Sequence, residues 1–324
     1  MSHLSKDLLS NVGSNVLKAS QYNMLREYKH PLNILAQRIS DHFSKTRGYS
    51  LRLHQKPITS VFKNFDELCF APDNDSKSPS NTYYFNRHLL LRSHMTSVER
   101  EIFKEGKNAF LVAGPVFRRD EIDHVHYPIF HQLEGVCYKR NWSKEECMSD
   151  LKKTILDMIV FLFGEVDYRW CDTYFPYTDP SIELEIFHEG RWIEILGSGI
   201  LQSKVLIGLR EDGCAWAFGI GLERLAMILF KIPDVRIFWS TKRGFFDQFD
   251  YESHNYFNEI LMEDPISLDI SFWLGPKYVQ NDLFEIAREV ASDEIKEIKL
   301  VRIESFRLTN LFILKVGERV IAIV

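Results

Sequence analysis

Cysteine is scarce and poorly spaced for structural chemistry. The five residues, Cys69, Cys137, Cys147, Cys171 and Cys214, are odd in number and include no CxxC pair. That pattern excludes a disulfide framework and a zinc knuckle, and it reads as buried thiols in a reducing compartment. Long apolar runs are missing as well. Phe110-Leu111-Val112-Ala113 is among the longest, far below the roughly 18 residues a membrane span needs. Nor is there an excess of basic charge: 40 Lys and Arg stand against 45 Asp and Glu, for a net charge of -5. A general nucleic-acid coat is therefore excluded, though a local basic site is not. No internal repeat is visible. What is present is apolar mass. Of 324 residues, 45% are hydrophobic and 13% aromatic, enough for full cores in about two domains. That composition excludes disordered, collagenous and coiled-coil classes.

Three stretches follow one another. Residues 1–29 contain Ser2, Ser5, Ser10, Ser14 and Ser20, with Lys6, Lys18, Arg26 and Lys29 against only Asp7 and Glu27. They read as an N-terminal leader or tail, either an organellar transit peptide or an ordinary frayed end. Residues 30–249 carry nearly all the chemistry. Residues 250–324 read as a linker and a small appended domain.

The spacing of Leu32, Leu35, Ile39 and Phe43 after Pro31 predicts a helix. Short strand-like pieces are expected around residues 61–62 and 82–85, with a polar loop at 73–81 between them. Strands are expected at 109–116 and 128–137, joined by a charged, His-rich segment. A long amphipathic helix should cover 143–163, where Ser143 and Glu146 make a capping box. Further strands are expected at 168–173, 182–188, 191–196 and 216–219, the last running through Gly221 into a helix at 222–230. Runs of strands with few intervening helices predict an α+β fold on an antiparallel sheet.

Four segments carry chemistry. In the first, Arg118 ends one strand and Gln132 and Glu134 share a face of the next. A planar cation suits a phosphate, and a carboxylate with a carboxamide suits an ammonium. In the second, Gly219-Ile220-Gly221-Leu222-Glu223-Arg224, small residues admit a flat ligand and Arg224 can grip a phosphate or cover a purine. In the third, Glu194 precedes a glycine turn, Gly197-Ser198-Gly199, and offers an oxygen ligand for Mg2+. In the fourth, Phe175 and Tyr177 alternate onto one face as an aromatic wall. Read one at a time, these segments also fit a surface hairpin, a glycine turn and plain core. His124, His126 and His131 could share a metal, but no matching Cys or second cluster supports one.

Taken together and in this order, the segments resemble a phenylalanine–tRNA ligase, a class II aminoacyl-tRNA synthetase, of the single-chain mitochondrial type. The hairpin resembles motif 2 and the glycine-to-arginine segment motif 3. Asn64-Phe65-Asp66-Glu67-Leu68 and Leu91-Arg92-Ser93-His94 also look like family landmarks. The resemblance covers about residues 30–310. It implies ATP, with Mg2+, L-phenylalanine and tRNA(Phe) as partners, no membrane, a monomer, and residence in the mitochondrial matrix, with the cytoplasm as the alternative.

It also implies roles. Arg118 and Arg224 are the catalytic arginines on either side of ATP. Asp120, His126, Phe130, Glu194 and Gly221 belong to the ATP site, Phe130 under the adenine and Glu194 toward the metal. Gln132 and Glu134 bind the substrate ammonium, and His94, Thr96 and Glu99 lie beside it. Phe175, Tyr177, Ser198, Ala217 and Gly219 line the phenyl pocket. Three positions depart from the family pattern: Thr96 for Ser, Tyr177 for Phe, and Glu99 for Gln, which would add negative charge beside the ammonium. Tyr177 could narrow the pocket or point its hydroxyl outward.

The C-terminal part reads as strand, helix, strand, strand at about 266–274, 282–291, 298–304 and 311–316. This order resembles the first half of the family's ferredoxin-like anticodon-binding domain, here truncated, with the apolar run at 320–324 last. A poorly ordered C-terminus is expected. Residues 251–324 hold 13 acidic and 8 basic residues, the wrong sign for gripping a nucleic acid. A catalytically idle, synthetase-derived binding or regulatory protein is therefore the alternative reading, and a ligase for another flat side chain is a third.

Overall fold

The computed structural model of the chain describes residues 10–209, 212–240, 246–251, 257, 266–272, 278–291, 294–306 and 309–316. The strands are β1 (Leu51–Leu53), β2 (Ile58–Ser60), β3 (Leu89–Leu91), β4 (Ala109–Phe117), β5 (Ile129–Arg140), β6 (Tyr168–Thr173), β7 (Thr178–His188), β8 (Arg191–Leu201), β9 (Gly213–Gly221), β10 (Ile266–Phe272), β11 (Ile295–Phe306) and β12 (Thr309–Val316). The helices are α1 (Ser14–Ala19), α2 (Pro31–Arg47), α3 (Val61–Asn64), α4 (Glu99–Lys104), α5 (Lys144–Phe163), α6 (Ser203–Leu206), α7 (Leu222–Phe230) and α8 (Gln280–Ala291).

A seven-stranded sheet in the order β1-β4-β5-β9-β8-β7-β6 forms the frame. Only β1 pairs in parallel, with β4; every other neighbour is antiparallel. The expected α+β antiparallel architecture is what the chain adopts. Alternation along the strands divides the side chains between two faces. Trp216, Phe218 and Ile220 of β9 join Leu133 of β5 and the apolar stripes of α2, α5 and α7 in the main core. The other face carries Phe130, Gln132 and Glu134 of β5, with Gln132 opposite Gly221 and Glu134 opposite Gly219 of β9. That face holds the cavity.

Local chemistry explains the elements on the core side. Pro31 opens α2, and the ring of His30 accepts from Leu32 N at 3.2 Å as its N-cap. Ser143 and Glu146 close the capping box of α5 from both directions, at 3.1 and 2.9 Å. Two expectations fail nearby. Residues 61–62 are helical, because Ser60 caps the turn by accepting from Lys63 N at 3.2 Å; the strand is β2, just before it. Residues 82–85 form only an isolated bridge, Tyr84 to Leu90, since their three aromatic rings are all buried in contacts rather than alternating.

The leader-or-tail reading of residues 1–29 meets a packed segment. Val16 of α1 sits among Tyr83, Phe85 and Phe117, and Asn11 bonds to Pro79 O and Thr82 O at 2.8 and 2.9 Å. Residues 1–9 lie outside the described residues.

The C-terminal unit has the expected order. β10 pairs β12 and β12 pairs β11, all antiparallel, with α8 against the sheet. Its small core of Phe284, Ala287, Ala291, Ile295 and Ile298 is completed by Ile122, which comes from the loop between β4 and β5. The backbone joins in: Ile298 N donates to Ile122 O at 3.1 Å. The apolar run expected at 320–324, and the end of the strand expected at 273–274, lie outside the described residues. Among the described residues, no helix is long and apolar enough to cross a membrane.

Candidate active site

One cavity of about 810 Å³ opens on the sheet face just described, and every residue assigned to the ATP site, the ammonium or the phenyl pocket lines it. Strand register explains how. Glu134 faces Gly219 on one side, and Gly219 faces Gly197 on the other. The two glycines make a floor without side chains. A β-carbon on Gly197 would fall 2.5 Å from Phe175 Cζ, so the aromatic wall can lie flat only because that position is glycine. Gln132 faces Gly221 one step along.

At one end lie the cations. Arg118 is open to the cavity, its Nε donating to Ser93 O at 3.0 Å and its guanidinium 5.1 Å from the centre of the Phe130 ring. The hairpin reading sets Arg118 beside the carboxylate; the two are not register partners. Val116 is the residue opposite Phe130, Gly114 opposite Gln132 and Val112 opposite Glu134, so the pairing does not set Arg118 across from the acid, although the Glu134 charge still reaches it. Arg224 stands in the first turn of α7, 3.7 Å from Glu194 Oε2 on β8. His126 Nδ1 and Asp123 Oδ2 are 2.7 Å apart on the loop. That hydrogen bond lifts the imidazole above its ordinary range. Despite its burial, the carboxylate falls to about 2, because it accepts from His126 and from the backbone of Val125 and His126.

At the other end lie the acids. Thr96 Oγ1 donates to Glu134 Oε1 at 2.9 Å, and Gln132 Oε1 accepts from Met95 N at 3.1 Å. Burial lifts Glu134 to about 7 and pushes Glu99 well above the carboxylate range. Burial at Glu99 therefore favours the neutral acid over an added charge. His94 Nε2 lies 2.9 Å from Asn64 O. Burial, helped by the nearby Arg118 charge, drives its ring down to about 3, so it stays neutral. Between the two ends stand Phe175 and Tyr177, stacked with centroids 5.9 Å apart. The Tyr177 hydroxyl is turned toward Thr96 and the acids, not out of the pocket. Ser198 borders the cavity but pairs with Phe218, out of phase with Gly197, and its hydroxyl donates to Ile182 O at 3.2 Å.

This geometry frames the comparison with known proteins. The family model described as "tRNA synthetases class II core domain (F)" matches residues 15–249. The chain is 39% identical over 310 residues to the Arabidopsis thaliana protein named phenylalanine–tRNA ligase, chloroplastic/mitochondrial, spanning 91% of this chain and 72% of that protein. It is 34% identical to the Mus musculus mitochondrial phenylalanine–tRNA ligase, over 90% of this chain and 74% of that one. The chain belongs to the phenylalanine–tRNA ligase family of class II aminoacyl-tRNA synthetases. A solved pyrrolysyl-tRNA synthetase from Desulfitobacterium hafniense shares the class II fold at 15% identity and a TM-score of 0.53, over 70% of this chain and 78% of that one.

Some parts of this ligase-family site had no role in it assigned from the sequence. Phe70 stacks on His94 with centroids 5.6 Å apart and faces Tyr177 at 6.1 Å, closing the aromatic box. Arg92 is fully buried behind the pocket and donates to Pro115 O at 2.7 Å and Lys56 O at 3.0 Å. Asn281 reaches the cavity from α8 and donates to Arg119 O at 3.1 Å. His131 and Glu223 form a buried tie between β5 and α7: Glu223 accepts from His131 N at 2.8 Å and lies 2.7 Å from Nδ1. This corrects the three-histidine metal reading. His131 faces the core with Glu223, His126 is held by Asp123, and His124 is exposed. The tie could have been suspected from Glu223 alone, a carboxylate buried in an apolar helix. Phe70 and Asn281 carry no local signal.

Proposed function

We propose that the chain activates L-phenylalanine with ATP and transfers it to the 3′ end of tRNA(Phe). The observation that carries this reading is a single cavity with two guanidiniums at one end, an acid–amide couple at the other, and an aromatic box between them. The substrate carboxylate is already ionised and needs no general base. It attacks the α-phosphorus in line, giving the aminoacyl-adenylate and pyrophosphate. The enzyme's work is alignment and charge neutralisation. Arg118 and Arg224 hold the phosphates, and Phe130 supports the adenine. Asp120, His126 and Gly221 complete the nucleotide end. Gln132 and Glu134, held by Met95 N and Thr96, take the ammonium, with His94 beside it. Phe175, Tyr177, Ala217 and Gly219 enclose the benzyl group.

Glu194 would hold Mg2+ together with the ATP phosphates, and the ion would supply further positive charge there. A cavity-lining carboxylate facing Arg224 fits an ion whose other ligands are phosphate and water rather than a protein cage. The C-terminal unit is proposed to meet the tRNA, and the mitochondrial matrix is proposed from the names of the relatives. The protein is proposed to act as a monomer.

ATP–pyrophosphate exchange with each amino acid in turn tests the reading. Exchange with phenylalanine well above all others is expected, followed by charging of tRNA(Phe). No exchange with any amino acid would favour the idle binding-protein reading. Exchange led by another flat side chain would reassign the substrate.

A further inference from the structure

Glu99 and Glu134 come together at the ammonium end of the cavity. Glu99 opens α4 and is 2% exposed; Glu134 on β5 is 4% exposed. Thr96 supplies one oxygen of Glu134. The other oxygen of Glu134 and both oxygens of Glu99 have no donor. Two ionised carboxylates buried side by side would combine repulsion with three missing hydrogen bonds, a cost that folding does not carry. One proton between them removes the repulsion and engages two of the three oxygens, one carboxyl donating to the other. A glutamine at position 99 would bring its own N–H donor and leave nothing to titrate.

We propose that Glu99 and Glu134 share one proton in the empty site and release it to solvent when the α-ammonium of phenylalanine takes its place. Amino-acid capture in this chain is thereby coupled to proton release. The proposal rests on the reading of this end as the ammonium pocket. The ammonium brings the donors that the shared proton supplied, and its charge favours ionisation of the acid it meets. Burial raises both carboxyls, Glu134 to about 7 and Glu99, which also meets the Glu134 charge, well above the carboxylate range, so the released proton is one the site holds under working conditions.

The charged and titratable neighbours behave differently. Arg92 stays charged, since burial lowers it only to about 10. Arg118 stays charged on the cavity side. Tyr177 is pushed up by burial and His94 down to about 3, so both remain neutral. His54, behind Arg92, is lowered to about 4 by burial. On α4 itself, Arg100 pairs with Glu67, and Glu101 with Lys63. His126 titrates at the nucleotide end of the cavity, but it does so whether position 99 is acid or amide.

The test is calorimetric titration of phenylalanine into the full chain, near pH 7, in buffers of different ionisation enthalpy. Release approaching one proton per phenylalanine is expected for the wild type, and close to none for Glu99→Gln. In exchange assays between pH 6 and 7.5, the wild-type KM for phenylalanine should fall by up to about tenfold per pH unit, whereas that of Glu99→Gln should stay nearly flat. The ligand's own ammonium and His126 contribute equally to both proteins, so the difference isolates Glu99. No proton release by the wild type, or equal release by both proteins, would overturn the proposal. The wild-type measurement decides the point even if the variant does not fold. A chain that binds no phenylalanine and supports no exchange would instead bring down the reading of the site, a separate outcome.

Discussion

Arg118 shows how one residue can be chemically decisive and structurally cheap. Its guanidinium spends one donor on Ser93 O and lies open to the cavity otherwise, so little of the fold depends on it. Arg118→Ala should therefore lower phenylalanine-dependent exchange by about 10²–10³-fold, the range for removing one donor to developing charge, with the unfolding midpoint unchanged. Exchange near the wild-type rate would remove Arg118 from its role. Selectivity is also set residue by residue. Phe70, Phe175 and Tyr177 make an apolar box, and such a box rejects an added hydroxyl by only about 10²-fold. Tyrosine should be charged onto tRNA(Phe) at a measurable rate by near-stoichiometric enzyme. Undetectable tyrosyl-tRNA would mean that the box contains a discriminating contact.

At the scale of elements, the start of α2 carries a pH dependence of its own. Neutral His30 accepts from Leu32 N through Nδ1, and its Nε2 lies 2.9 Å from Phe238 O. Protonation would remove the acceptor that caps the helix. Burial accordingly lowers this imidazole to about 4. A histidine depressed in the folded state stabilises fully above its unfolded value of about 6.5. That contribution is lost as pH falls from there toward 4. His30→Asn keeps a capping oxygen and abolishes the titration. Its urea midpoint should be lower than wild type at pH 7.5, but should fall less between pH 7.5 and 5. Equal falls in the two proteins would assign the acid sensitivity to other groups. The α2 and α5 boundaries were readable from the sequence because caps are local: Pro31 and Ser143 act within a few residues of themselves. The piece at 61–62 was not, since Ser60 can end a strand and cap a turn equally well.

At the scale of the whole molecule, the loop between β4 and β5 belongs to two bodies. Asp120 and His126 line the nucleotide end of the cavity, while Ile122, between them in sequence, is buried in the C-terminal core. Asn281 and Arg288 of α8 hold the loop's carbonyls at Arg119, Asp120 and Glu121, and Arg119 pairs with Asp282 at 2.7 Å. Ile122→Asp would bury a charge against Phe284 and Ala287, at a cost of a few kcal/mol. It should speed amide hydrogen exchange across α8 and raise the KM for ATP, while exchange protection on β5 and β9 persists. Unchanged exchange in α8 would show that the loop does not anchor the C-terminal unit.

The sequence by itself determined the α+β class, most element positions and the chemistry of each site segment. Hydrophobic periodicity, caps and residue type are properties of a few neighbouring residues, and they survive without coordinates. Only the tertiary structure decided what these segments make together. Register put Glu134, Gly219 and Gly197 in one row and set Ser198 out of phase with it. Packing turned Glu99 from an added charge into a partner for Glu134, because burial changes what a carboxyl is. Phe70 and Asn281 reach the cavity by long-range contacts that no local pattern encodes, since their neighbours in space are distant in the chain.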